Sequence, residues 1–145
     1  MKSTGDYLSS HGIRPSVQRL AIYRYLDSHR IHPSADVVFT ALHDDMPTLS
    51  RTTVYNTLRL FCDKGVAQLL TLREDEMRFD ADTSVHAHFQ CEKCGVIFDF
   101  VCGAGSPVNC RLPVGFDVHE TRIYLRGICA DCRTSQGARK KRPTV

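Results

Sequence analysis

No stretch of this 145-residue chain approaches the roughly 18 consecutive apolar residues that a membrane span needs, and no apolar run of signal-peptide length follows Met1. The sequence therefore reads as cytoplasmic, with no membrane partner. Charge of one sign is also scarce. Nineteen Lys and Arg against 16 Asp and Glu leave a formal charge of +3, too little to diagnose nucleic-acid binding by itself. The basic "ARKKR" within residues 136–145 reads as a solvated, disordered tail as readily as a contact arm. Internal repeats and low-complexity segments are absent, and 42% apolar content argues against disorder, allowing one domain or two small ones. Cysteine, by contrast, is abundant. Seven cysteines in a reducing compartment are not expected to form a disulfide framework, so they require another explanation.

The chain changes character near residue 80. Before it, "SVQRLAIYRYL" (16–26), "SADVVFTALHDD" (34–45) and "SRTTVYNTLRLFCDKG" (50–65) carry helical periodicity, and each opens on a capping serine. "VAQLLTL" and "MRFD" then flank the polar "REDE" as a hairpin with a four-residue loop. Polar, turn-prone "DADTSV" (80–85) follows. Beyond it "HAHFQC", "GVIFDFV" and "GFDVHETRIYLRGIC" read as strands, with an irregular connector, "GAGSPVNCRLP", that could hold a short helix over 107–112.

Three helices followed by a hairpin form the layout of a winged helix-turn-helix, whose last helix enters the DNA major groove. In the third helix Val54, Leu58, Phe61 and Cys62 share the core face, while Arg51, Thr52, Tyr55, Asn56 and Arg59 lie opposite. Tyr55 and Asn56 suit base edges, and Arg51 and Arg59 mainly phosphates. A solvated face of an ordinary amphipathic helix is the competing reading.

"CEKC" (Cys91, Cys94) and "CADC" (Cys129, Cys132) each have the spacing that places two thiolates on one tetrahedral ion. Two such pairs complete a structural zinc site, although their wide separation requires the fold to bring them together. A redox Cys-x-x-Cys needs a βαβ context that is lacking here. His86 and His88 sit two apart on a strand and face one side, with Asp99 on the returning strand. Spacing takes this no further than a candidate cluster, with exposed strand histidines as the alternative.

Taken together, "HPSADVVFTAL", "SRTTVYNTLRLFCDKGVAQ", "RFD", "HAHFQCEKCGVIFDF" and "YLRGICADC" resemble the ferric uptake regulator superfamily, and most closely its peroxide-sensing branch, from about Gly12 to Cys132. The resemblance implies an α+β homodimeric, metal-dependent transcriptional repressor that is not an enzyme. It would comprise a winged-helix DNA-binding domain (1–80), a hinge (81–85), a small α/β metal-binding dimerisation domain (86–135) and the basic tail (136–145). It also implies ligands that spacing does not supply. His32 and Asp80 would join His86, His88 and Asp99 in a five-coordinate regulatory site, separate from the zinc held by Cys91, Cys94, Cys129 and Cys132. A metal on all five would clamp the hinge, so that the dimer presents two recognition helices to a pseudo-palindromic operator. Imidazole and carboxylate without thiolate suit Fe(II) or Mn(II), with selectivity coming from geometry and supply. Asp99, where iron-sensing relatives more often carry Glu, resembles the peroxide sensors.

The sequence departs from the pattern in places. Relatives with a third metal site carry a Glu in the connector and a His on the last strand, where this chain has no Glu and has Thr121, with His119 nearby, so no third site is expected. Cys62 reads as core. Cys102 and Cys110 could be inert thiols, a reversible disulfide or haem ligands. An iron or zinc homeostasis repressor on the same scaffold, and a zinc-stabilised protein-interaction module, are the alternatives in function.

Overall fold

The computed structural model describes residues 3–73, 76–103 and 112–134. Its elements are α1 (Thr4–Ser10), α2 (Val17–Ser28), α3 (Ala35–His43), α4 (Arg51–Asp63), β1 (Gln68–Arg73), β2 (Glu76–Asp80), β3 (Ala87–Cys91), β4 (Ile97–Phe100), β5 (Ile123–Gly127) and α5 (Ala130–Thr134). The three serines expected to open helices do so. Ser16, Ser34 and Ser50, in extended backbone, accept from the N–H groups of Arg19, Val37 and Thr53. Each satisfies a donor that the first turn cannot pair internally. A fourth helix, α1, was not expected. It starts from a capping box in which Ser3 and Asp6 exchange hydrogen bonds, and it places Leu8 in the core.

The described residues form two compact units, one ending at Thr83 and the other beginning at Ser84. In the first, Leu8, Ile22, Leu26, Val38, Val54, Leu58, Phe61, Val66 and Phe79 make one buried cluster, each large side chain contributing about 1.5–3 kcal/mol. On α4 Val54, Thr57, Leu58 and Phe61 are buried. Cys62, expected in the core, is half-buried and packs against the cluster. The helix stops in a Schellman motif. Gly65, at φ 68°, takes the left-handed position, its N–H reaches Cys62 O, and Val66 N–H reaches Phe61 O. That turn directs the chain into the antiparallel pair β1–β2, registered Gln68 with Asp80 and Leu70 with Arg78. The strands run closer to the turn than expected, to Arg73 and from Glu76. This first unit is a winged helix preceded by one extra helix.

The second unit is a three-stranded sheet in the order β4-β3-β5, antiparallel between β3 and β4 and parallel between β3 and β5. The long last strand expected from Gly115 is confined to Ile123–Gly127. Its partner β3 begins at Ala87, opposite Ile123, so residues before that have no ladder to join. The expected first and second strands are likewise trimmed to β3 and β4. Most of the suggested short helix over 107–112, Cys110 and the basic tail lie outside the described residues. Among the described residues no helix is long and apolar enough to cross a membrane.

Candidate metal centres

The parallel pairing of β3 with β5 aligns Cys91 with Gly127 and so carries Cys129, two residues on, to the first cysteine pair. Gly95, at φ 74°, folds the first pair into a tight turn, with its N–H donated to Cys91 O at 2.8 Å and Cys91 N–H donated to Val96 O at 3.0 Å. On the other side Glu92 N–H reaches Gly127 O at 2.8 Å, and α5 presents Cys132. Sulfurs about 2.3 Å from one tetrahedral ion stand about 3.8 Å apart. Here Cys94 Sγ and Cys129 Sγ are 3.9 Å apart, and all four sulfurs lie within 4.8 Å of one another. The four cysteines are free thiols, not disulfides. They fit a four-thiolate zinc site.

The titration of the cluster points the same way. Burial pushes the Cys91 thiol up, but hydrogen bonds from the Cys129, Cys94 and Lys93 backbones outweigh it and bring it down to about 6. Burial and then the neighbouring thiols push Cys132 up to about 12, and burial raises Cys94 as well. One thiolate is stabilised by the backbone, and a set of four needs a cation among them.

The histidine and aspartate candidates form two groups, one in each unit. In the sheet unit His88 pairs with Asp99 across β3–β4 and with Tyr124 across β3–β5, so the three side chains share one face. His86 Nε2 and His88 Nε2 lie 3.8 and 3.7 Å from the same Asp99 Oδ1. Both imidazoles are buried, whereas the Asp99 side chain is 37% exposed. His86 Nδ1 is 2.9 Å from Ser84 O. A carbonyl only accepts, so Nδ1 carries the proton and Nε2 is left as the donor to a metal.

In the winged-helix unit His32 Nε2 lies 3.6 Å from Asp80 Oδ2, and both residues are buried. His32 precedes α3 with φ 51°, a left-handed conformation costly for a side chain of its size. Two contacts from β2 hold it there. Arg78 donates to His32 O at 3.1 Å and Phe79 N–H to Pro33 O at 3.0 Å. The Asp80 carboxylate accepts from Asp82 N–H at 2.8 Å and from Gln68 Nε2 at 3.5 Å. Two donors about 2.1 Å from one ion and 120° apart are separated by about 3.6 Å, which the distances within both groups match. Gln68, Arg78 and Ser84 were missed in the sequence, where nothing marks a residue that only orients a ligand.

Arg51, Thr52, Tyr55, Asn56 and Arg59 are all exposed along α4. Beside them Arg14, Ser16, Gln18, Arg19, Thr53 and Asn56 help line a cleft of about 580 Å³. Its two further arginines, at the start of α2, were also missed. Arg51 pairs with Asp36 and lies over the Phe39 ring, 4.5 Å from its centroid.

The ferric uptake regulator family profile matches residues 10–125. The peroxide-responsive repressor PerR of Staphylococcus aureus strain Mu50 is 41% identical over 129 residues, which is 87% of this chain and 86% of that protein. PerR from Streptococcus pyogenes superposes with a TM-score of 0.50 at 29% identity, covering 88% of each chain. The Vibrio cholerae ferric uptake regulator shares the fold, with a TM-score of 0.67 at 23% identity over 88% of this chain and 100% of that one. By the breadth of the profile match and the identity to the staphylococcal repressor, the chain belongs to the ferric uptake regulator family.

Proposed function

We propose that the chain is a homodimeric, metal-dependent repressor that binds a pseudo-palindromic operator and is released from it by peroxide. The observation that carries this reading is the sorting of donor types. Four thiols converge at one place, whereas the other candidate ligands carry no thiol, His32 with Asp80 in the winged helix and His86 and His88 with Asp99 in the sheet unit. Thiolates suit structural zinc, and the nitrogen and oxygen set suits Fe(II) or Mn(II). By taking the same ion, His32 and Asp80 would fix the recognition helix relative to the sheet unit, so that metal occupancy and operator affinity become linked.

Two surfaces support the reading. The exposed polar side of α4, with Tyr55 and Asn56 toward base edges and Arg59 toward phosphates, suits a major groove. On the sheet, Phe89, Phe98 and Leu125 are registered across β4-β3-β5, and Phe98, Phe100, Leu125 and Ile128 are exposed. An apolar face of that kind calls for a cover, and a second copy supplies it.

When bound, Fe(II) supplies the electron that reduces peroxide, a reaction in which Mn(II) is a poor partner. One peroxide oxygen would be added to a ring carbon of His32, His86 or His88, the other leaving as water with the displaced hydrogen, and the added oxygen would spoil that imidazole's donor geometry. Having lost that grip, His32 and Asp80 no longer fix the recognition helix, and the dimer leaves DNA. The test is metal analysis together with operator binding, in Fe(II) and in Mn(II), before and after peroxide. Release with iron only supports the reading. Release by chelation with indifference to peroxide would make the protein a metal-homeostasis repressor, and no operator binding in either metal would make it a zinc-stabilised interaction module.

A further inference from the structure

Arg51 opens the recognition helix, and its guanidinium is held on a platform. Asp36, in the first turn of α3, pairs with its Nη1, and the Phe39 ring lies beneath it at 4.5 Å. Phe39 packs against the core cluster, and the His43 ring stacks on it with centroids 4.8 Å apart. The platform is therefore anchored from below. Its contribution to stability is small. The Arg51 and Asp36 side chains are 62% and 77% exposed, and pairs so open to water contribute little. A cation at the first position of a helix also opposes the positive end of the macrodipole. What the arrangement does achieve is to remove rotamer freedom from a long, flexible side chain.

A phosphate contact does not need that restriction, because charge near a backbone oxygen tolerates a range of geometries. A base contact does need it, since a guanidinium must present two parallel N–H groups to guanine O6 and N7. A guanidinium has five donors, so Asp36 on Nη1 leaves a second edge to face the groove. The first residues of a recognition helix are also those that reach base edges. We infer that Arg51 reads a guanine in each half-site, with Asp36 and Phe39 as its positioning residues. The inference rests on the DNA-binding reading above and revises the expectation that Arg51 mainly holds phosphate.

The test uses the full-length, zinc-replete protein with Mn(II). Operator selection from randomised DNA is followed by titration of single-base variants, for the wild type, Arg51→Lys and Asp36→Asn. Lysine keeps the charge and loses the fork. Arg51→Lys should therefore lower the preference for guanine at one position of each half-site by about 5- to 150-fold, with the salt dependence unchanged. Asp36→Asn should relax the same position and no other. If Arg51→Lys binds every variant as the wild type does, or if Arg51→Ala weakens all sequences equally with a shallower salt dependence, Arg51 is a phosphate contact and the inference is overturned. A wild type that selects no sequence overturns the DNA reading itself, an outcome distinct from a wild type that selects an operator to which Arg51 is indifferent.

Discussion

Replacing Cys129 with serine should unfold the sheet unit and leave the winged helix standing. The two units differ in what holds them. The fully buried apolar residues described in the winged helix include Leu8, Ile13, Ile22, Leu26, Val38, Val54, Leu58, Phe61, Val66, Leu70 and Phe79, whereas in the sheet unit they are Ala87 and Cys91. With so small an apolar interior among the described residues, the sheet unit is expected to draw most of its stability from metal coordination and from a covering partner. Zinc contributes on the order of 10–16 kcal/mol to small zinc-dependent folds, and loss of one of four ligands removes roughly a quarter of that, about 2.5–4 kcal/mol. Against a typical net stability of about 5–15 kcal/mol, a loss of that size in a unit with little else is decisive. Peptide-resolved hydrogen exchange is the assay. Amides of β3, β4 and β5 should lose protection in Cys129→Ser, those of α2 to α4 should keep it, and gel filtration should report a monomer. Cys129→His, which restores a zinc ligand, should recover part of the protection. A zinc-free Cys129→Ser dimer with a fully protected sheet would refute the reasoning.

Further outcomes are expected elsewhere in the molecule. Arg59→Ala should weaken binding to all sequences alike and reduce the salt slope by about one, read by fluorescence anisotropy over a range of salt; an unchanged slope removes Arg59 from the interface. Arg78→Ala, which frees the His32 carbonyl, should lower Mn(II) affinity by about 10- to 100-fold while operator binding at saturating Mn(II) stays normal, and unaltered affinity by calorimetry would count against its orienting role. After brief peroxide, mass spectrometry should find an added oxygen on peptides carrying His32 or the His86 and His88 pair, with iron only, and Asp99→Glu should slow it; a Cys102 to Cys110 disulfide formed equally with either metal would indicate a thiol sensor. Because Cys91 is held down to about 6, its thiolate contribution is complete above the ordinary thiol range and is lost as pH falls through about 6. Zinc affinity measured against a chromogenic chelator should therefore fall more steeply with pH below about 6 than above it, and a slope that does not change there contradicts the assignment.

The features legible in the sequence were those fixed by local chemistry. Ser16, Ser34 and Ser50 announced their helices because a cap acts within one turn. The two Cys-x-x-Cys pairs announced a metal because two thiolates must approach one ion from a single turn. Features fixed at a distance were not legible. The true start of β5 depends on where β3 begins, and no local pattern in 115–122 reveals it. The pairing of His32 with Asp80 became visible only through family resemblance, since the contact depends on β2 reaching the start of α3 through Arg78 and Phe79. The missed α1 did carry a signal, the Ser3 and Asp6 capping box, but with Asp in the place usually taken by Glu or Gln.

The parallel pairing of β3 with β5 has a consequence for how the chain is made. β3 and β4 are neighbours in sequence and can pair as soon as both leave the ribosome, but the other edge of β3 waits for Ile123–Gly127. At about 5–20 residues per second, that edge and the thiols of Cys91 and Cys94 stand open for a few seconds, after the winged helix already has all its strands. Closing so long a loop is the slow, entropically costly step, and an open strand edge is the site at which nascent copies pair wrongly. Zinc supply during synthesis is therefore expected to bear on the yield of folded sheet unit, because a chain that misses the second cysteine pair keeps a folded winged helix beside an open sheet edge.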